Sequence, residues 1–379
     1  MRSKTLRWPG DPRHDRAAFV RAFGRDPDLA LAFLAPHLAE RQMHEIAEFW
    51  PNTQLAGVEA ITQFDGGETV TDGSVHAFWF DRPTSPRHGV EIFAVPGRRG
   101  EPFSEADLEG LASRLEDADG VLLLSDGLRF PIERFLSELR RRLGVPRAAI
   151  AGGLASQSEP IQGFGSRVYR GTEALSSACL AVIFRGFSMR IEVVRGWDPA
   201  SPIYTVTRAQ GNVLYEIDGE PATDWYRRFF TIDGQLAPLP LASYGYPLIL
   251  VGPGPERQGL YRAMRSFDDP PGSVTFWGTT ETGDQVRLGM GNDDSLVRTA
   301  HHLAKLTPPP EAALLVSCVG RQAVLGERAG EEVQVIHGAL AGAALSGFFT
   351  FGEIGPSAGG DLAYYNQTAV LVLLTEEHS

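Results

Sequence analysis

Two charged side chains near the carboxyl end of the chain have the surroundings of a ligand site. Glu353 lies between Gly352 and the Gly355-Pro356 pair, where small neighbours allow the backbone to approach a bound molecule closely. A carboxylate there can receive a ligand ammonium group or an arginine. Arg321 follows Gly320 at the predicted end of a strand, and its guanidinium can hold a carboxylate with two hydrogen bonds. Together they would suit a zwitterion; a turn cap or a structural pair between them is the alternative interpretation.

Polar and aromatic residues flank this pair in the sequence. Asn366 and Thr368 are predicted on one side of a strand start, where they either bond a ligand or hold the Glu353 loop. The aromatic run 348–351 could line an apolar pocket, but alternation along a strand places part of it in the core. The candidate ligand-binding residues are Cys318, Arg321, Gly347, Phe348, Thr350, Glu353, Asn366 and Thr368.

Cysteine and histidine offer two further kinds of chemistry. Cys318 could act as a nucleophile only if a nearby cation or histidine lowered its pKa, and a lone cysteine on an apolar strand is more often a packing residue. His337 is the nearest candidate for a haem ligand, although its helical position favours a partly buried structural role. The chain has only two cysteines and no C-x-x-C, which argues against a disulfide framework or a cysteine zinc site. We therefore expect no metal and no catalytic residue.

Composition excludes several classes of protein. A chain of 379 residues with 43% hydrophobic residues is predicted to form two or three globular domains. Its net charge of -12 repels a phosphate backbone, so nucleic acid is not an expected partner. Residues 333–352 carry no formal charge, but we interpret them as a helix followed by a buried strand rather than a membrane span. No signal peptide is visible at the amino end, which favours a cytoplasmic location.

One structural unit occurs three times along the chain. It consists of an apolar strand, an amphipathic helix, a second strand that reaches a glycine, a polar glycine turn and a closing strand. The copies begin with the predicted strands 29–35, 121–125 and 313–317. This pattern predicts an α/β (α+β) fold with mixed sheets in layered α/β/β/α packing and two pseudo-similar halves. The predicted division is an N-terminal segment 1–27, a first domain 28–217 and a second domain 218–379.

Several of these segments together resemble the FIST family, a sensory module with an N-terminal and a C-terminal half. Residues 347–356, followed by Asn366-Gln367-Thr368, are similar to the family's G-F-x-T-x-G-E-I-G-P and N-x-T signatures. Residues 317–321 resemble its C-x-G-R strand end, and residues 212–222 resemble the sequence that joins its halves. The chain departs from the family at 57–62, which lacks the G-C-S-T run, and at 152–157, which loses an acidic residue.

The resemblance implies small-molecule sensing in signal transduction, with amino acids proposed as ligands and haem reported for some members. We expect a cytosolic, non-enzymatic sensor that binds a small polar, amino-acid-like ligand between its halves. Its output would act through a separate signalling protein such as a kinase or a cyclase. The alternatives are a haem-binding gas sensor, an enzyme that uses Cys318 and a purely structural interaction protein.

Overall fold

A computed structural model describes residues 1–8, 21–97, 103–144, 146–157, 166–232, 235–236, 244–252, 254, 257–301 and 308–377. The fold combines α-helices with mixed β-sheets, as predicted, and none of the sheets closes into a barrel. The α-helices of the described residues are α1 (Ala39–Phe49), α2 (Glu105–Leu115), α3 (Ile132–Leu143), α4 (Ala222–Phe230), α5 (Asp293–Ala300), α6 (Val319–Leu325) and α7 (Ala329–Ala339). A short 3-10 helix over Gly326–Arg328 joins the last two.

Three six-stranded sheets form the main body of the protein, and their strands are given in spatial order. The first sheet contains β1 (Arg2–Arg7), β6 (Gly73–Trp79), β2 (Leu29–Leu34), β3 (Gln54–Glu59), β10 (Arg167–Arg170) and β11 (Glu173–Ser176). The second sheet contains β28 (Leu362–Tyr365), β27 (Glu353–Pro356), β9 (Ala149–Leu154), β8 (Gly120–Ser125), β12 (Ala178–Arg185) and β7 (Gly89–Pro96). The third sheet contains β13 (Phe187–Val194), β29 (Ala369–Glu376), β25 (Ala312–Cys318), β26 (Ala344–Thr350), β4 (Gln63–Asp65) and β5 (Glu68–Val70).

A nine-stranded sheet is built from the middle of the chain. It contains β14 (Asp198–Pro199), β15 (Tyr204–Gln210), β16 (Val213–Ile217), β17 (Glu220–Pro221), β20 (Leu248–Gly252), β21 (Tyr261–Arg262), β22 (Met264–Asp268), β23 (Ser273–Phe276) and β24 (Gln285–Met290). A separate two-stranded ribbon pairs β18 (Thr231–Ile232) with β19 (Gln235–Leu236).

The repeated unit predicted from the sequence is confirmed in all three six-stranded sheets. In each one, a parallel pair is followed across the sheet by an antiparallel closing strand: β3-β2-β6, β9-β8-β12 and β26-β25-β29. The second strand of each unit carries a glycine at an equivalent register position. These glycines are Gly57, Gly152 and Gly347, and each is buried beside the preceding parallel strand. A Cβ atom at Gly347 would overlap the carbonyl oxygen of Leu315, so only glycine fits there.

The units exchange hairpins in a cycle. Hairpin β4–β5 leaves the first unit and pairs with β26, hairpin β10–β11 leaves the second and pairs with β3, and hairpin β27–β28 leaves the third and pairs with β9. Each unit therefore completes the sheet of another unit. Because β27 lies in the second sheet, a segment near the carboxyl end is built into the first part of the molecule.

The inner faces of the three sheets share one apolar core, to which Leu31, Leu124, Leu314 and Phe348 contribute. Helices cover the outer faces: α1 packs on the first sheet, α2 and α3 on the second, and α5, α6 and α7 on the third. A section through two of these sheets therefore passes through a layer of helices, the two sheets and a second layer of helices. This is the α/β/β/α layering expected from the sequence.

Capping residues recognised in the sequence predicted the starts of two helices correctly. The Ser104 hydroxyl accepts a hydrogen bond from the backbone N–H of Asp107, and Asn292 caps α5 in the same way through Ser295. Within 333–352, α7 ends at Ala339 and β26 begins four residues after Leu340, as interpreted. Among the helices of the described residues, none combines the length and the apolar character needed to cross a bilayer.

Candidate functional site

Glu353 stands on β27, where the third unit's hairpin meets Gly153 of the second sheet, and its side chain is fully buried. Its Oε2 accepts hydrogen bonds from the backbone N–H of Thr368 at 3.0 Å and from the Thr368 hydroxyl at 2.7 Å. The Cys318 thiol donates a further hydrogen bond to this carboxyl group. Burial raises the pKa of Glu353 to about 8, so this carboxyl is mostly protonated at neutral pH.

Cys318 lies directly beside this carboxyl. It ends β25 and is the N-cap residue of α6, and its sulfur accepts backbone hydrogen bonds from Gly320 and Gln367. Burial, followed by the charge of Glu353, raises the pKa of the Cys318 thiol well above its usual range. A raised pKa disfavours the thiolate that nucleophilic catalysis requires, so the structure gives no support to the enzyme alternative that uses Cys318.

Asn366, Gln367 and Thr368 form the connection between β28 and β29, whereas the sequence placed Asn366 and Thr368 at a strand start. The correction arises from Gln367, whose φ of 62° is left-handed and turns the chain between the two strands. The Gln367 amide lies across Gly320 and donates to the carbonyl of Tyr244 at 3.3 Å, while its Oε1 has no partner among the described residues. We call Glu353, Cys318, Gln367 and Thr368 the Glu353 cluster.

Arg321 is not part of this cluster, and the structural pair with Glu353 that was the alternative interpretation does not form, because Arg321 pairs with Glu332. It stands in the first turn of α6 rather than at a strand end, because the chain enters a helix directly after Cys318. Its fully buried guanidinium bonds the equally buried carboxylate of Glu332, with Nε to Oε1 at 3.1 Å. A further donor reaches the carbonyl of Arg195 at 3.1 Å. The Glu332 carboxylate and the Arg195 carbonyl thus occupy the guanidinium donors that were expected to bind a ligand.

The remaining predicted residues have structural contacts. Gly347 and Phe348 lie inside the third sheet, and Phe348 contributes to the shared core. The Thr350 hydroxyl accepts from the backbone N–H of Leu154 at 2.7 Å and donates to its carbonyl at 2.6 Å. These contacts fix the end of β26 against β9, and ligand binding by the three residues stays a prediction.

Asn366 connects the Glu353 cluster to the nine-stranded sheet. Its Nδ2 donates to the Tyr364 hydroxyl at 3.2 Å, and its Oδ1 accepts from the backbone N–H of Ala263 at 3.4 Å. Ala263 follows Arg262, whose Nη1 donates to the Tyr364 carbonyl at 3.3 Å. Tyr364 and Arg262 also line a cavity, which therefore lies next to the cluster.

This cavity, which we call the junction cavity, has a volume of about 340 Å³. It lies between α3, the strand β28 and the outer part of the nine-stranded sheet. Its described lining residues are Glu133, Leu136, Ser137, Arg140, Arg257, Leu260, Arg262, Thr279, Glu281, Leu362, Ala363 and Tyr364. The helix α3 comes from the predicted first half of the chain, and the other lining elements come from the second half.

Charges of both signs line the junction cavity. Buried Arg262 contacts Glu133 at 3.3 Å, and desolvation lowers the pKa of its guanidinium. Arg257 bonds Glu281 at 2.7 Å as well as buried Asp284. The sequence predicts guanidinium and carboxylate groups around one ligand site, but it assigns these roles to Arg321 and Glu353. Arg257 and Arg262 were missed because they stand in no recognisable motif.

The haem alternative finds no support at this cavity. Its described lining residues include neither histidine nor cysteine, the two side chains weighed as haem ligands or thiolates in the sequence. His337 is half-buried on α7 and packs over Gly66 and Gly67 of the β4–β5 turn. Among the described residues, no group of three histidine, cysteine, aspartate or glutamate side chains is arranged to hold a metal ion. We derive no step through haem.

The segment that departs from the family pattern at 57–62 has contacts of its own. Glu59 is buried and accepts hydrogen bonds from the Arg167 guanidinium at 2.7 Å and from the Tyr169 hydroxyl at 2.8 Å. The Thr62 hydroxyl accepts from Gln322 on α6 at 3.0 Å. This segment therefore packs against the helix that begins at Cys318, close to the Glu353 cluster.

Comparison with known proteins gives matches over nearly the whole chain. Residues 28–220 match the FIST N domain and residues 222–356 match the FIST C domain. An uncharacterized protein of Mycobacterium bovis is 29% identical over 269 residues, which cover 68% of this chain and 67% of the relative. An uncharacterized protein of Mycobacterium tuberculosis is 29% identical over 268 residues, which cover 67% of this chain and 68% of the relative.

A shorter match joins the chain to an uncharacterized protein of Methanocaldococcus jannaschii, with 29% identity over 111 residues, or 29% of this chain and 20% of that protein. None of these relatives has a described activity in its name. FIST domains are known as small-ligand sensory domains in signal transduction. Since the two domain matches cover both parts of the molecule, the chain belongs to the FIST family.

Proposed function

We propose that this protein is a cytosolic, non-enzymatic sensor that binds a small polar, amino-acid-like ligand in the junction cavity. The supporting observation is the position of that cavity between elements of the two proposed domains, 28–217 and 218–379. Its volume of about 340 Å³ is at the small end of the range for ligand pockets and suits a molecule the size of a free amino acid. Signalling through a separate protein, such as a kinase or a cyclase, belongs to the same proposal.

The charges that line the cavity match a zwitterion. Arg140 has its nearest carboxylate, that of Asp361, at 3.9 Å, so its guanidinium is only weakly engaged and is free to bind a ligand carboxylate. Glu281 lies at the rim with its side chain 66% exposed, so it can reorient towards a ligand ammonium group. Leu136, Leu260 and Leu362 supply apolar surface for a side chain.

One side chain connects the ligand site to the arrangement of the halves. Glu133, on α3, accepts hydrogen bonds from the backbone N–H of Thr279 at 2.8 Å and from the guanidinium of Arg262 at 3.3 Å. A ligand that competes for these donors favours an arrangement in which α3 is less tightly bound to the nine-stranded sheet. Such a ligand shifts the population because it distinguishes the two states energetically.

Isothermal titration of the twenty free amino acids against three proteins tests this proposal. The proteins are the wild type, Arg140→Ala and Arg141→Ala. Arg141 neighbours Arg140 on the same helix but bonds Glu138 at 2.6 Å and does not line the cavity. We expect at least one amino acid to bind the wild type and Arg141→Ala equally, and Arg140→Ala about tenfold more weakly, a loss of roughly 1.4 kcal/mol. No binding by the wild type, or equal binding by all three proteins, would contradict the proposal.

A further inference from the structure

We propose that a second cavity of this protein binds a small carboxylate with an aliphatic body. This cavity, which we call the β9 cavity, has a volume of about 290 Å³. Its described lining residues include Pro146, Arg147, Ile150, Ile191, Pro356 and Leu362. Of the described residues around it, only Leu362 also lines the junction cavity, so the two cavities are neighbours with different walls.

The β9 cavity lies where two strands of the second sheet separate. The pairing of β27 with β9 ends at Ile354 and Gly152. The same register would next place Pro356 opposite Ile150, but proline has no N–H to donate to the Ile150 carbonyl. The Pro356 carbonyl accepts from the Tyr365 hydroxyl at 2.6 Å. The strands therefore diverge, and residues of both line the cavity at the position where the next pair would form.

This divergence leaves a backbone donor of β9 directed at the cavity. On the edge of β9 that faces the hairpin, the backbone N–H of Leu154 donates to the Gly352 carbonyl at 3.0 Å. Because alternate residues of a strand direct their N–H groups to the same edge, the N–H of Ile150 points to this edge as well. Ile150 is buried, lines the cavity and has no partner on β27. A carboxylate in the cavity can accept a hydrogen bond from this N–H.

Arg147 gives the β9 cavity its charge. It is the only charged residue among the described lining residues, which include no acidic side chain. Its side chain is 74% exposed, and its Nη2 donates to Asp119 Oδ1 at the long distance of 3.4 Å. A guanidinium has five N–H donors, so donors of Arg147 remain for a ligand carboxylate. The charge of the wall therefore favours an anion.

Apolar side chains form the rest of the wall. Pro146, Ile191, Pro356 and Leu362 come from four different segments and can cover the hydrocarbon part of a ligand. The junction cavity differs, because charges of both signs line it. An amino acid in the β9 cavity would bury its ammonium group without an acidic partner, which is unfavourable. The two cavities are thus expected to select different ligands, and the β9 site is independent of the function proposed above.

Methyl NMR of the full chain, labelled at the isoleucine δ1 methyl groups, tests this site with hexanoate as the probe. We expect the signals of Ile150 and Ile191 to shift, and that of Ile46 on α1 to stay unchanged. Each signal is assigned by its absence from the matching isoleucine-to-valine variant. Arg147→Ala should bind hexanoate about fivefold more weakly than the wild type. The control Arg141→Ala should bind it equally well, because Arg141 is also well exposed but lines neither cavity.

Two further probes of the same length isolate the role of the charge. Uncharged 1-hexanol should bind more weakly than hexanoate, and hexylammonium should bind most weakly, because the Arg147 guanidinium repels it. Three results would overturn the proposal: no shift of the two signals with hexanoate, equal hexanoate affinity of Arg147→Ala and the wild type, or equal affinity for hexanoate and 1-hexanol. Arg140→Ala separates the two cavities. It should bind hexanoate as the wild type does, and a loss there would place the probe in the junction cavity and also overturn the proposal.

Discussion

Two buried glutamates of this protein have opposite surroundings. Glu59 is 1% exposed and accepts hydrogen bonds from the Arg167 backbone and guanidinium and from the Tyr169 hydroxyl. Glu353 is completely buried and accepts hydrogen bonds from the Thr368 backbone and hydroxyl and from the Cys318 thiol. Burial raises the pKa of both carboxyl groups, so burial does not distinguish them. The partners do: Glu59 bonds a guanidinium, whereas the described partners of Glu353, which are the Thr368 backbone and hydroxyl and the Cys318 thiol, are neutral.

The two glutamates also lie in different segments of the FIST sequence pattern. Glu59 lies in the run 57–62, where the chain departs from the family, and its contacts join β3 to the hairpin of the second unit. Glu353 lies in the run 347–356, where the chain resembles the family, and its hairpin joins the third unit to the second. A carboxylate paired with a guanidinium thus occupies the divergent segment, and a carboxyl group bonded by neutral donors occupies the segment that keeps the signature.

The largest effect is expected where a buried carboxylate loses the guanidinium that neutralises it in the described part of the chain. Arg321→Met leaves Glu332 buried and uncompensated, and we expect the free energy of unfolding to fall by about 3–5 kcal/mol. The double variant Arg321→Met/Glu332→Met should recover most of this loss, because apolar side chains can replace a buried ion pair. Urea denaturation measures both. A single variant as stable as the wild type would show that the pair is not a structural one.

A second prediction compares the two glutamates directly. Glu59→Gln removes the charged acceptor of the hydrogen bonds that the Arg167 guanidinium and the Tyr169 hydroxyl donate. We expect it to destabilise the protein by about 2–3 kcal/mol. Glu353→Gln should not destabilise the protein at pH 7, because glutamine has the shape of a protonated carboxyl group, can still accept from Thr368 and does not ionise. Thermal unfolding of both variants in one buffer checks this, and the reverse order would break the comparison.

The position of Gln367 is tested by a pair of helical glycines. A Cβ at Gly320 would lie 2.5 Å from the Gln367 amide, so Gly320→Ala should destabilise the protein by about 1–2 kcal/mol. Gly330 on α7 has no neighbouring atom within 4 Å, and Gly330→Ala should stabilise it by about 0.5–1 kcal/mol. Denaturation midpoints measure the two variants. Equal effects of the same sign would mean that the amide does not lie across Gly320.

The last prediction concerns the dependence of stability on pH, whose effect accumulates over several pH units. The pKa of Glu353 is about 8 in the folded protein and 4.5 as an ordinary value, so between these values the folded state keeps a proton that the unfolded state has lost. Raising the pH through this range therefore destabilises the wild type relative to Glu353→Gln, by on the order of 1 kcal/mol per pH unit. Below pH 4.5 the difference should be constant. Parallel stability curves from pH 5 to 8 would contradict this prediction.

The repeated unit was predictable because its signals are local. Apolar runs, the capping residues Ser104 and Asn292, and the glycine within each second strand all act within a few residues. The exchange of hairpins was not predictable in this way. Glu353 pairs with Gly153, two hundred positions earlier in the chain, and nothing in either segment specifies that register. Sheet pairing over such separations depends on the packing of the whole core.

The candidate site was predicted in part. Glu353, Cys318 and Thr368 do lie together, as their positions beside glycines and a strand end suggested. Arg321 was placed wrongly because α6 is a short helix that begins directly at the end of β25, without a polar capping side chain. The junction cavity could not be found at all, because its lining residues come from α3, β28 and the nine-stranded sheet.

The most direct measurement of the contrast between Glu59 and Glu353 is a titration of the Glu353 carboxyl carbon by ¹³C NMR, with glutamate labelled at Cδ. The signal is assigned by its absence from the spectrum of Glu353→Gln. A buried carboxyl whose described hydrogen-bond partners are neutral should titrate with a midpoint near pH 8. A midpoint near the ordinary value of 4.5 would show that the protein already supplies a partner for its charge, and would contradict the account.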